Sequence, residues 1–200
     1  MQGQIDTSFA TSQRDLFTSG MAANIGMNAF GVWLAIKSHA DYNDGESWPG
    51  MRLLGDLTGL SAATISRNVQ TLLDAKLLRI VSTGKGKKSS RYIARERLDV
   101  RLGDRVLCTV VLDYVPLILQ DKLKKIKDSL KTGKHDPDAF AEVDIIPGSG
   151  FVWDEKSGML KASIPASEFP PIPVDPNEQK MLTELQQRTL ALKKTPKDPV

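Results

Sequence analysis

Residues 45–80 read GESWPGMRLLGDLTGLSAATISRNVQTLLDAKLLRI, and this stretch decides the architecture. Pro49 suits the start of a helix. The apolar spacing after it predicts a short helix over Met51–Thr58 that buries Leu53, Leu54 and Leu57. Gly59 permits a tight turn, and Ser61 is a good N-cap for a third helix from Ser61 or Ala62 to Ala75. Ile65, Val69, Leu72 and Leu73 of that helix face inward. Two helices cross near a right angle only where the corner is small, and Gly59 with Leu60 supplies such a corner. Leu77–Ser82 reads as a strand, 83–90 (TGKGKKSS) as a turn, and Arg91–Ala94 as the returning strand.

Upstream, Ala22–Ala40 reads as one helix with Ile25, Ala29, Phe30, Trp33, Leu34 and Ile36 on a broad face. Residues 41–50 hold Asn, Asp, Gly and Pro and read as a loop. Residues 1–21 read as a polar arm or a short docking helix around Leu16 and Phe17. Trp33 and Trp48 are expected in the core rather than as stacking surfaces.

Downstream, Arg105–Leu112 is apolar on both faces and β-branched, the pattern of a buried strand. Pro116 opens a helix to about Lys131 with Leu119, Leu123, Ile126 and Leu130 inward, ended by Gly133. Residues 142–165 suggest strands around a turn at 154–158, with Phe151 and Trp153 sharing a face. Five of the eleven prolines fall in 165–176, an extended linker, and Glu178–Lys194 reads as a last helix carrying Leu182, Leu185 and Leu192. The fold class expected is α+β in four parts. An arm (1–21) precedes a helical and hairpin domain (22–98). A strand–helix–hairpin appendage (99–165) and a Pro-rich linker with its C-terminal helix (166–200) follow.

The composition, 40% hydrophobic and 26% charged, is ordinary for a folded domain. Cys108 is the only cysteine, so no intramolecular disulfide forms, which suits a reducing cytoplasm. The first twenty residues lack the basic-then-apolar order of a secretory signal, and Val106–Leu112 is too short to span a bilayer. A cytoplasmic, nucleoid-associated location away from membranes is expected. Net charge is +3, but Arg52–Leu98 holds ten basic and three acidic residues, a local +7 that leaves −4 for the rest. Such a segment points to a polyanion partner.

The helix 61–75 turns Ala62, Ala63, Ser66, Arg67 and Gln70 outward beside its capping Ser61. Small residues at its start permit close approach to base edges. Arg67 and Gln70 carry the donors that read them in a major groove about 12 Å wide. Thr64, Thr71, Trp48 and Arg52 are candidate phosphate contacts. Lys85, Lys87 and Lys88, with Arg91 at the base of their turn, are candidates for the backbone or minor groove.

Trp48-Pro49 before a helix, GLSAATISRNVQTLLDAKLL at 59–78, and a basic hairpin ending in Arg91-Tyr92 resemble the winged helix-turn-helix domains encoded on phages and plasmids. The resemblance covers roughly 22–98 and implies double-stranded DNA as partner, with helix 61–75 in the major groove and the basic wing (83–91) on the backbone. Ala62 and Ala63 stand where many relatives carry Arg, Ser or Lys, which leaves fewer direct base contacts. Three roles follow. The chain is a transcriptional regulator of a phage or plasmid operon, acting as a homodimer on two-fold half-sites. Or it is a replication initiator or replisome organiser recruiting replication proteins through residues 99–200. Or it is an architectural protein with weak DNA binding.

Other chemistry finds no support. A phosphate-binding loop needs Gly four residues ahead of its Gly-Lys pair and Ser or Thr after it, but Val81 and Lys88 flank Gly86-Lys87. His39, His135 and Cys108 lack metal-ligand spacing, and the carboxylates form no catalytic pair. Neither an enzyme nor a cofactor is expected. Lys122, Lys124, Lys125, Lys127 and Lys131 lie on the helix after Pro116, either as a solvated face or as an extension of the DNA contact.

Overall fold

Cap chemistry and hydrophobic spacing account for most of the element order. The computed structural model describes residues 12–84, 89–132, 136–154 and 156–164. The expectations for residues 1–11, for Lys85, Lys87 and Lys88, for Gly133 and His135, and for the linker and last helix at 165–200 lie outside the described residues.

Two short helices open the described chain, α1 (Asp15–Thr18) and α2 (Met21–Ile25), followed by α3 (Met27–Ser38). The single helix expected over Ala22–Ala40 is thus divided, because Gly26 has φ +81, a value outside any helix. Leu16 of α1 is buried, and Phe17 meets Phe30 of α3 edge-on at 5.3 Å. Asp15–Thr18 is thus helical and rests on α3 through Phe17.

Next come β1 (Glu46–Ser47), α4 (Met51–Thr58) and α5 (Ala62–Asp74), joined across Gly59 at φ +70. Leu54 is buried as expected, but Leu53 and Leu57 are exposed. The helical period puts all three on one stripe, whereas α3 and α5 cover only the Leu54 side. β2 (Leu78–Ser82) and β3 (Arg91–Leu102) then form an antiparallel hairpin, with Leu78 opposite Ala94 and Ile80 opposite Tyr92.

β3 is far longer than the Arg91–Ala94 strand expected. Its first residues pair with β1 and β2, and residues 95–102 pair antiparallel with β4 (Arg105–Asp113). The boundary expected at residue 98 therefore falls inside one continuous strand. β5 (Val143–Pro147) pairs with the outer side of β4, giving the order β1-β3-β4-β5 with β2 also on β3. α6 (Leu119–Thr132) and α7 (Pro137–Phe140) lie between β4 and β5 in the chain. β6 (Phe151–Asp154) and β7 (Met159–Ala162) make a separate hairpin, as its turn residues indicate. One hydrophobic core runs from Leu16 through Trp33, Leu72 and Leu112 to Ile126 and Ala139. On α6, Leu119 and Ile126 are buried as expected, whereas Leu130 is half-exposed and Ser129 turns in.

α5 ends in a turn where the Lys76 N–H donates to the Leu73 carbonyl at 3.0 Å and the Leu77 N–H to the Leu72 carbonyl at 2.9 Å. Lys76 there has φ +57, a region that costs an L-residue its side-chain clearance. Lys76→Gly should accordingly raise stability by about 0.5–1 kcal/mol, read as a higher thermal midpoint.

Candidate nucleic-acid interface

α5 is set by its cap and by three buried side chains. Ser61 has extended backbone, and its Oγ accepts from the Thr64 N–H at 3.3 Å, satisfying one of the free donors at the helix start. Ser61→Ala should cost about 1 kcal/mol, seen as a lower urea midpoint at unchanged slope. Ile65, Val69 and Leu72 are buried where α5 meets α3 and α4. That rotation leaves Ala62, Ala63, Ser66, Arg67 and Gln70 exposed, as the helical period requires.

The polar groups on this face are unequally available. Arg67 has no ion-pair partner among the described residues and lies 3.5 Å from the Thr64 hydroxyl. Gln70 donates its Nε2 to Asp74 at 2.8 Å, so reading a base with Gln70 means breaking that bond. The Thr71 hydroxyl donates to the Arg67 carbonyl at 3.1 Å, and Thr64 Oγ1 lies 3.0 Å from Ser61 Oγ. The Thr71 hydroxyl thus donates within the helix and keeps only its lone pairs for an outside partner, while in the Ser61–Thr64 contact either hydroxyl can be the donor.

Beside α5, Arg52 is exposed on the first turn of α4. Trp48 is 56% exposed, contrary to the core position expected, while Pro49 after it is buried. The indole has been turned out because Ser47 and Pro49 take the inward positions on either side. The Arg91 guanidinium lies 6.0 Å from the Trp48 ring centre and pairs with Glu46 at 3.0 Å. Trp48, Arg91 and Glu46 thus form one exposed cluster at the base of the β2–β3 hairpin.

The local surplus of positive charge is smaller in space than in sequence. Arg79 pairs with Asp113, and Arg95 pairs with Asp113 at 3.0 Å and Asp144 at 2.9 Å. Together with Glu46, these are acids from outside the Arg52–Leu98 segment. Arg97 donates to the Ala75 carbonyl at 3.2 Å, at the end of α5. Arg67 has a 3.5 Å hydrogen bond to the Thr64 hydroxyl, and among the described basic residues of the segment Arg52 and Lys76 remain without a side-chain bond. Glu46 competes for Arg91 only because the fold brings them together, whereas Asp74 is an i,i+4 neighbour of Gln70 on one helix and its competition is readable from the spacing.

Residues 23–78 match a family model described as a helix-turn-helix domain. A helix-turn-helix implies DNA as the partner, with α4 as its first helix, Gly59-Leu60 as its turn and α5 as its second. The match covers the elements whose exposed face carries Arg52, Arg67 and Gln70, and it stops at the first residue of β2. No curated protein and no solved structure gives a significant match to the chain. Among the described residues, no helix is long and apolar enough to cross a membrane, and no group of three His, Cys, Asp or Glu is placed to hold a metal ion.

Proposed function

We propose that the chain is a sequence-specific double-stranded DNA-binding protein of winged helix-turn-helix type, regulating transcription of a phage or plasmid operon as a homodimer. The observation that carries this reading is the division of α5: Ile65, Val69 and Leu72 sealed inside, and Ser66, Arg67 and Gln70 in solvent behind a small-residue tip of Ala62 and Ala63. A helix exposed in this way can enter a major groove, while Ser61 and the first turn approach phosphate. The β2–β3 hairpin supports the wing, with Trp48, Arg52 and Arg91 as backbone contacts beside it. Lys85, Lys87 and Lys88 belong to the same wing by sequence. In this role the chain is not an enzyme, needs no cofactor, and acts in the cytoplasm on the nucleoid.

Genomic footprinting followed by titration of the recovered site tests the reading. Two-fold half-sites are expected; an array of direct repeats would replace the regulatory role with an origin-binding one, and absence of any preferred site would overturn sequence specificity. Arg67→Ala should lose about 1–3 kcal/mol of discrimination between the site and a single-base variant while binding random DNA as before. Neutralising Lys85, Lys87 and Lys88 should weaken all duplexes alike and lower the slope of log K against log salt by nearly 3. Equal losses on specific and random DNA in the Arg67 variant would remove that residue from base reading.

A further inference from the structure

Away from the DNA-facing side, β3, β4, β5, α6, α7 and the β6–β7 hairpin line a half-open cavity of about 220 Å3. Its floor is the sheet, where Val100 of β3 stands opposite Cys108 of β4. Phe140 and Trp153 make one wall, their ring centres 6.5 Å apart and their planes tilted by 38°. Leu130 and Met159 also line it and are each about half exposed, which places them at the mouth. Among the described residues, no charged side chain lines the cavity; its polar side-chain groups are the Cys108 thiol, the Ser129 hydroxyl and the Trp153 indole N–H.

We propose that this cavity binds an uncharged, mainly apolar small molecule the size of one substituted or two fused aromatic rings. An ionised ligand would give up its hydration with no counter-charge to meet it. Burial and the nearby Asp99 carboxylate raise the Cys108 pKa, so the thiol itself stays neutral. An apolar cavity of about 150 Å3 already suffices for benzene, so 220 Å3 has room for a ring bearing a substituent. The tilted Phe140 and Trp153 rings offer a face and an edge to a flat guest. Met159 at the mouth is unbranched and adapts to the shape of what enters.

The test titrates the full-length protein, without DNA, with indole, toluene and benzoate, so its failure leaves the DNA-binding reading untouched. Indole and toluene at about ten times their dissociation constants should raise the thermal midpoint by about 3–6 °C. They should also shift the methyl resonances of Leu130, Ile145 and Leu160, and benzoate should do neither. Met159→Asp, half exposed but directly across the hairpin from Asp154, should lower the ligand-free midpoint only slightly and weaken indole binding at least tenfold. Unmoved methyl resonances at millimolar indole, benzoate binding as well as toluene, or unchanged indole affinity in Met159→Asp would each overturn the proposal.

Discussion

Glu96→Leu should destabilise the protein by about 3–5 kcal/mol, because it removes the carboxylate that faces a buried lysine charge. Lys37 near the end of α3 and Glu96 in the middle of β3 form an ion pair whose side chains are 0% and 2% exposed. The Lys37 ammonium also lies 4.6 Å from the Trp33 ring centre and 4.2 Å from that of Tyr114. Removal from water opposes both charges, pushing the Lys37 pKa down and the Glu96 pKa up, and each partner restrains the other's shift. Taking away either one alone strips that restraint. The double substitution Lys37→Met with Glu96→Leu removes both charges and fills the space with apolar atoms, and should recover most of the loss. Urea unfolding of the two single variants and the double variant measures the cycle; a double variant as unstable as the worse single one would contradict the pairing.

The pH dependence of Glu96→Leu has a definite sign. Lys37 is then a buried amine whose folded pKa lies below its unfolded value of about 10.4, so the unfolded chain binds more protons between those two limits. Stability must rise with pH across that window and level off above it, as the amine becomes neutral in both states. A flat profile from neutral pH to about 10.4 would mean that Lys37 escapes to solvent in the variant. The pair also matters for the interface. It ties α3 to β3, and α3 is the surface on which α5 rests, so loosening it should also impair DNA binding.

Neither partner was legible in the sequence. Lys37 reads as a surface cation in a last helical turn, and Glu96 as one acid opposing a basic segment; 59 residues separate them. What was legible is what local rules govern: the α4–Gly59–α5 order, the Ser61 cap, the inward Ile65, Val69 and Leu72, and the start of the hairpin. Periodicity fixes which residues share a stripe but not whether another element covers it, which is why Leu53 and Leu57 were misjudged. Trp48 was misjudged for a related reason, since an indole is apolar enough for a core and only the inward positions of Ser47 and Pro49 turn it out. The full length of β3 was hidden because residues 95–101 are mostly charged. Arg95 is acceptable inside only because Asp113 and Asp144 come to it from β4 and β5. The cations cluster in sequence between Arg52 and Leu98, yet in space Glu46, Asp113 and Asp144 reduce what they offer a polyanion.

Gly45→Ala should cost about 3 kcal/mol, combining left-handed strain of about 1–2 with forced displacement of packed backbone of about 1–3. Gly45 has φ +73, and a Cβ there would overlap the Tyr114 carbonyl oxygen, with the carbonyl carbon at 3.1 Å and Val115 Cγ2 at 3.2 Å. The obstruction cannot simply swing away, because the Tyr114 N–H donates to the Ala94 carbonyl at 2.8 Å and its ring covers the Lys37 ammonium. Gly59 is the natural control. Its φ is +70, but nothing lies within 4 Å of an added Cβ, so Gly59→Ala carries the strain without the collision. The difference between the two urea midpoints, at matched slope, therefore isolates the contact between the 41–47 loop and the end of β4. Equal costs would show that the chain relaxes around Tyr114. The two variants should separate in function as well. Gly59→Ala acts at the turn that sets α4 against α5 and should disturb base discrimination. Gly45→Ala acts one residue before β1, upstream of Glu46 and Trp48, and should weaken all duplexes through the Trp48–Arg91 cluster.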